Sequence, residues 1–158
     1  MLQFLIFRLA GLRCALQVTD IERIIHAVAV NPVPKAPPIV LGLINVAGAI
    51  LPVLNIRELF RLPEVEARLS DTIILTRTTH RPIALLVDEV EGVTEISAEH
   101  ILPPDAIYPG IDYLQGVSKL RDGVLYIYNL DRFLSSADES AIDLLLTKAG
   151  SIPAPQGE

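Results

Sequence analysis

The side chains able to do chemistry in this sequence are few, and their spacing limits what they can do. His26, His80 and His100 stand far apart, with no cysteine or second histidine at the spacing of a metal site. Asp88, Glu89, Glu91 and Glu95 form the densest acidic group, and clustered carboxylates suit a hard cation. On a strand, however, neighbouring side chains point to opposite faces, so these acids read as solvated turn residues or as a surface for a partner. Ser118 and Lys119 are adjacent rather than three apart, which excludes a lysine-activated serine of the SxxK kind. Cys14 is the only cysteine, and its setting LRCALQV makes it a small buried hydrophobe rather than a nucleophile. No glycine-rich phosphate loop followed by Lys-Ser or Lys-Thr occurs, nor GxSxG, HExxH or paired CxxC. The expectation is a protein with no hydrolase, transferase or redox activity, no metal and no cofactor.

The elements that would position any site are strands. With 51% hydrophobic and 20% charged residues, the chain is too apolar to be disordered and must bury much of each strand. Its 158 residues suffice for one domain, or for two small lobes sharing a core. Short apolar segments recur at 3–9, 13–18, 24–30, 43–46, 49–55, 72–78, 83–90, 93–97, 113–120 and 124–130, about ten strands in all. Ala10-Gly11, Thr79-His80 and Asp122-Gly123 supply turns between them. Such a succession predicts a barrel or sandwich rather than a parallel α/β sheet. In LGLINVAGAILPVLNIRELF, residues 41–60, the punctuation by Gly42, Gly48 and Pro52 suits a hairpin turning at Ala47-Gly48, with Pro52 at an edge or bulge. NPVPKAPP, residues 31–38, should be a stiff connector crossing from one part of the sheet to another.

Helices are confined to short pieces at Asp20–Ile25 and after Asn55, plus one at the end, residues 136–150. The last has Ser136 and Glu139 as a capping box and Ile142, Leu145 and Leu146 at helical spacing. Residues 151–158 should form a disordered tail. No apolar run is long enough to span a bilayer, and the N-terminal segment does not look like a cleavable leader. The net charge of −6 with scattered basic residues argues against nucleic acid. The lone cysteine suits a cytoplasmic location.

The order of these segments resembles the CheW family, the coupling proteins of bacterial chemotaxis arrays. The resemblance runs from about Phe4 to Ala149 and rests on LQVTDIERI, on NPVPKAPP leading into GLINVAGAILPVLNIRELF, on IALLVDEVEGV and on YLQGVSKLRDGVLYIYNLDRFL. It implies a mainly β fold of two SH3-like five-stranded β-barrels on a common hydrophobic core, occupying residues 1–135, with the C-terminal helix packed on them. It also implies a non-catalytic scaffold, monomeric or weakly dimeric, that links methyl-accepting chemoreceptors to the regulatory domain of a CheA-like histidine kinase. Direct membrane insertion is not part of that role. The receptor-facing patch would comprise Ile21, Arg23 and Ile24 with Asn45, Val46, Ala47 and Gly48, and Val87, Asp88 and Glu89 nearby. For the aliphatics of that patch an ordinary core role is equally open, and for the glycines turn geometry alone.

The sequence departs from the family pattern in three charges. Ala47 stands where the family usually has an arginine before the hairpin glycine, and Arg23 where it often has a glutamate in a helical turn after the second strand. Asn55 replaces the aspartate of the PVxDLR pattern. The resemblance places the turn after Val46 beside the segment carrying Arg23, so these changes would alter the standard receptor contact. Such changes suit a scaffold serving a divergent chemosensory system; a small-molecule-binding double β-barrel and a regulatory domain that fills an array without its kinase are the alternative readings.

Overall fold

The computed structural model describes residues 1–26, 28–63, 65, 68, 70–103 and 113–150, the last three by backbone only. Among these residues the strands are β1 (Leu2–Leu9), β2 (Leu12–Gln17), β3 (Ile21–His26), β4 (Val40–Val46), β5 (Ala49–Leu54), β6 (Thr72–Arg77), β7 (Pro82–Val87), β8 (Glu89–Ile96), β9 (Ile101–Leu102), β10 (Leu114–Leu120) and β11 (Gly123–Tyr128). A short helix α1 (Ile56–Leu59) follows β5, and α2 (Ser136–Gly150) ends the described chain.

The strands form two sheets, one of six in the order β8-β1-β2-β11-β10-β9 and one of five in the order β3-β6-β7-β5-β4. The chain begins in the first sheet, builds the whole of the second, and returns. Each sheet contains one parallel pair, β2 with β11 and β5 with β7. The expected two lobes are present, the first with a two-residue sixth strand. The connector 31–38 links β3 to β4, the opposite edges of the five-stranded sheet. Asn31 exchanges both backbone hydrogen bonds with Leu43, at 2.9 Å each, and so draws the edges together.

Burial explains why the strands read as apolar runs rather than alternations. In β1, Leu5, Phe7 and Leu9 enter a central core, whereas Phe4 and Ile6 enter a smaller core inside the six-stranded sheet. In β6 and β7, Ile74, Ile83, Leu85 and Val87 join the central core, whereas Ile73, Leu75 and Ala84 fill the interior of the five-stranded sheet. Both faces of these strands are dry. Phe133 and Ile142 seal the central core, and Phe60, just after α1, stacks on Tyr128 at 4.3 Å. The helix α2 is held by the buried Arg81, whose guanidinium donates to Glu139 Oε2 at 2.7 Å and Asp143 Oδ1 at 2.5 Å.

Several local expectations are corrected. Asp20–Ile25 is not a helix: a 3-10 turn at Val18–Asp20 runs into β3, because the β-branched Ile24 and Ile25 pair with Ile74 and Ile73 of β6. The segment 83–90 is not one strand. It breaks at Asp88, where the chain passes from one sheet to the other, and Glu89 onward is continuous with 93–96 as β8. Pro52 lies on an interior strand rather than at an edge or bulge. Leu43, opposite it, spends both backbone groups on Asn31, so that pair lacks ladder bonds, and pairing with β7 starts only at Val53. Proline's missing N–H therefore costs nothing there. The capping box of α2 sits one residue early: Ser135 Oγ accepts from Asp138 N, and Asp138 Oδ2 from Ser135 N, each at 3.1 Å. In the β10–β11 hairpin the turn residues are Arg121 and Asp122, with Gly123 already in the strand. The tail 151–158 lies outside the described residues.

Candidate partner-binding surface

Strand β3 is an edge of its sheet and most of it faces outward. Ile21 packs against the central core and Ile25 against the interior of the five-stranded sheet, while Arg23 is exposed and Ile24 is 42% exposed. The register shift between Ile21 and Arg23 carries the strand out of strict alternation, which is why Arg23 and Ile24 can both reach solvent. The strand is anchored at its start, where the Thr76 hydroxyl donates to the Asp20 carbonyl. Arg23 lies in this strand, not in a helical turn.

The β4–β5 hairpin turns as expected at Ala47-Gly48, both with positive φ, 51° and 90°. Asn45 Oδ1 accepts from the Gly48 amide at 2.9 Å, an interaction that fixes the turn. Asn45, Ala47, Gly48 and Ile50 are exposed, whereas Val46 packs partly against the sheet interior. Gly42 has a separate steric role. A Cβ there would stand 2.5 Å from the Asn31 carbonyl oxygen, so only glycine admits the closing bridge. The tip residues 45–48 and Arg23 belong to strands at opposite edges of the sheet, joined across the closure by Asn31 and Leu43.

The third group surrounds the passage between sheets. Val87 is 1% exposed and belongs to the central core, so it supports the surface from beneath. Asp88 is held at three points: its amide donates to the Arg8 carbonyl at 3.0 Å, Oδ2 accepts from the Ala10 amide at 2.9 Å, and Oδ1 accepts from Arg57 at 2.5 Å. It ties the β1–β2 turn and α1 to the crossover. Glu89 is exposed. Among the described residues no ion pair engages Glu89 or Arg23.

The structure brings two of the three groups together. Ile24, Ile25 and His26 of β3 face Asp88, Glu89 and Val90 across an open groove of about 590 Å³. The hairpin tip does not line it. Beside the groove, and sharing Arg68 and Asp88 with it, lies a smaller cavity of about 140 Å³ that Asn55, Arg57 and Asp71 also line. Sequence reasoning missed Asp71, whose one signal was an acid immediately before an apolar strand. The Cys14 thiol is fully buried, 4.0 Å from the Tyr128 hydroxyl, and burial pushes it up to about 12. Among the described residues no cluster of three potential metal ligands exists, and no helix is long and apolar enough to cross a membrane.

Comparison with known proteins agrees with this architecture. The family model described as a CheW-like domain matches residues 3–138. The chemotaxis protein CheW of Klebsiella aerogenes is 26% identical over 143 residues, covering 89% of this chain and 86% of that protein. The protein FrzA of Myxococcus xanthus is also 26% identical, over 89% of both chains. Among solved structures, the scaffolding protein TtCheW from Thermoanaerobacter tengcongensis superposes with a TM-score of 0.78 over 87% of this chain and 94% of that one, at 23% identity, a likeness of fold. The chain belongs to the CheW-like domain family, the non-catalytic coupling adaptors of chemotaxis signalling.

Proposed function

We propose that this chain works in the cytoplasm as the coupler between a methyl-accepting chemoreceptor and the regulatory domain of a CheA-like histidine kinase, and that it meets the receptor along β3 and the start of β8, with the hairpin tip of Asn45 to Gly48 as a second contact. The observation that carries the reading is the groove itself. An aliphatic side chain, Ile24, stands 42% exposed opposite an exposed carboxylate, Glu89, on a rigid double-sheet frame. An apolar anchor with a polar rim is the composition of a reversible protein interface. On this reading residues 1–135 are the adaptor body and α2 an appendage to it, a division supported by the packing of Ile142 and the Arg81 clasp. A monomer or weak dimer suits an element that must exchange partners.

The small-molecule alternative is not favoured. The more enclosed cavity holds about 140 Å³, well below the roughly 300 Å³ at which ligand pockets begin, and the groove of about 590 Å³, though it carries His26, Asp88 and Glu89, lies open to solvent. The test is a pull-down of the host's receptors and kinases on the full-length chain. Retention of both supports the coupler; retention of neither, with a stoichiometric small molecule instead, supports the alternative.

A further inference from the structure

We propose that Asp122-Gly123, at the tip of the β10–β11 hairpin, is a site of spontaneous isoaspartate formation, and that the Arg13 guanidinium restrains it. The proposal is independent of the partner-binding reading above. Asp122 is the one aspartate or asparagine followed by glycine in the sequence. It ends the two-residue turn Arg121-Asp122, and its side chain is 68% exposed. A Cβ built on Gly123 would meet nothing within 4 Å, so space is open beside the backbone at which a ring would close. Gly123 is the ladder partner of Leu120, the last pair of the hairpin, and pairs at such an end open at low free energy.

In the reaction the Gly123 amide nitrogen attacks Asp122 Cγ. A C–N bond forms, the amide proton and the carboxyl hydroxyl leave as water, and a five-membered succinimide results. One water then opens the ring at the Asp122 main-chain carbonyl. The chain now runs through Cβ and Cγ, the former main-chain carbonyl carbon carries the free carboxylate, and the overall composition is unchanged. The ring closure needs a protonated carboxyl, because a carboxylate would have to expel an oxide. Arg13 opposes it in two ways. Arg13 lies on β2 opposite Leu125 of β11, and its Nη1 donates to Asp122 Oδ1 at 2.7 Å. That hydrogen bond lowers the Asp122 carboxyl and so keeps it ionised, and it also ties the side chain to β2. Arg13 is itself held, since its Nε donates to Glu91 Oε1 at 3.3 Å and Arg8 Nε donates to the same oxygen at 2.7 Å. In the product the turn is one backbone atom longer and the carboxylate sits one carbon closer to the main chain, so modification withdraws residue 122 from this network of β1, β2 and β8.

The test ages the full-length chain for several weeks at neutral pH and physiological temperature, then locates isoaspartate by peptide mapping with an aspartate-specific protease that does not cut at isoaspartate. The expected result is accumulation at Asp122 ahead of every other aspartate. Arg13→Ala should speed it about twofold to fivefold, the worth of one exposed ion pair. Arg13→Lys, which keeps the charge, should stay closer to the parent rate. Glu91→Gln loosens the same network without removing the donor to Asp122 and should leave the rate near that of the parent, which separates restraint by Arg13 from general loosening of the lobe. Gly123→Ala, which fits the open space, should slow the reaction. No excess at Asp122, an unchanged rate in Arg13→Ala or in Gly123→Ala, or a Glu91→Gln rate equal to that of Arg13→Ala overturns the proposal.

Discussion

Replacing Gly42 with alanine forces a methyl group into the backbone that closes the five-stranded sheet. The added carbon would lie 2.5 Å from the Asn31 carbonyl oxygen, 2.8 Å from Val30 Cγ1 and 2.9 Å from the Asn31 carbonyl carbon. A side chain could swing aside, but a carbonyl in a bridge cannot. Two responses are available. The sheet strains locally, at about 1–3 kcal/mol for an overpacked site. Otherwise the Asn31–Leu43 bridge opens and gives up two hydrogen bonds, at about 0.5–1.5 kcal/mol each. The cheaper route sets the cost, and the stiffer unfolded chain returns about 0.4–1 kcal/mol. The net expectation is a destabilisation of about 1–2 kcal/mol, measured by urea denaturation, with amide exchange at Asn31 and Leu43 accelerated beyond the global change. The sign is decisive. Without the close approach, Gly42→Ala should be neutral or stabilising, and that result would refute the closure and the placement of the hairpin that depends on it.

At the hairpin tip, Ala47→Gly should stabilise by about 0.5–1 kcal/mol in the same assay, because alanine at φ 51° carries a left-handed penalty that glycine lacks. Arg81→Met should cost about 1–3 kcal/mol and raise amide exchange along α2 more than elsewhere, since it strands the largely buried Glu139 carboxylate; equal exchange across the chain would contradict the clasp. Stability should fall in acid. A hydrogen bond from Arg8 lowers the Glu91 carboxyl, and one from Arg13 lowers Asp122. Their contribution is complete above the unfolded values of 4.5 and 3.8 and is lost as pH falls through the lower folded ones. Asp20, raised by burial and then by Asp131, acts in the opposite sense, its cost being relieved as pH falls through its raised value. Urea midpoints from pH 7 to 3 should therefore fall less steeply below about pH 4.5 in Arg13→Ala than in the parent chain.

What could be read from the sequence was local chemistry. The Ala47-Gly48 turn and the short helix after Asn55 follow from glycine and turn residues that act on their own backbone, whereas the connector 31–38, expected to be extended, folds through a turn with Lys35 at φ 65°. What could not be read was pairing. IALLVDEV looks continuous because an apolar run carries no mark of which sheet its two ends will join, and the break at Asp88 depends on partners at Arg8, Ala10 and Arg57 far away in the chain. Pro52 suggested an edge for the same reason: only the Asn31–Leu43 bridge shows that its missing donor is not needed. The site divides likewise. Ile24 and Glu89 were nameable from a resemblance in segment order, but their meeting across one groove and the burial of Val87 and Asp71 arise from the crossover between sheets.

The most direct measurement is recruitment of the kinase to the receptor. Beads carrying the host receptor's cytoplasmic hairpin are mixed with its histidine kinase, with and without this chain, and with Ile24→Asp in its place. The expected result is kinase retained only with the parent chain; Ile24→Asp should lose the receptor while still binding kinase in solution. Kinase retained without the chain, or equally well with Ile24→Asp, would contradict the coupling role of this surface.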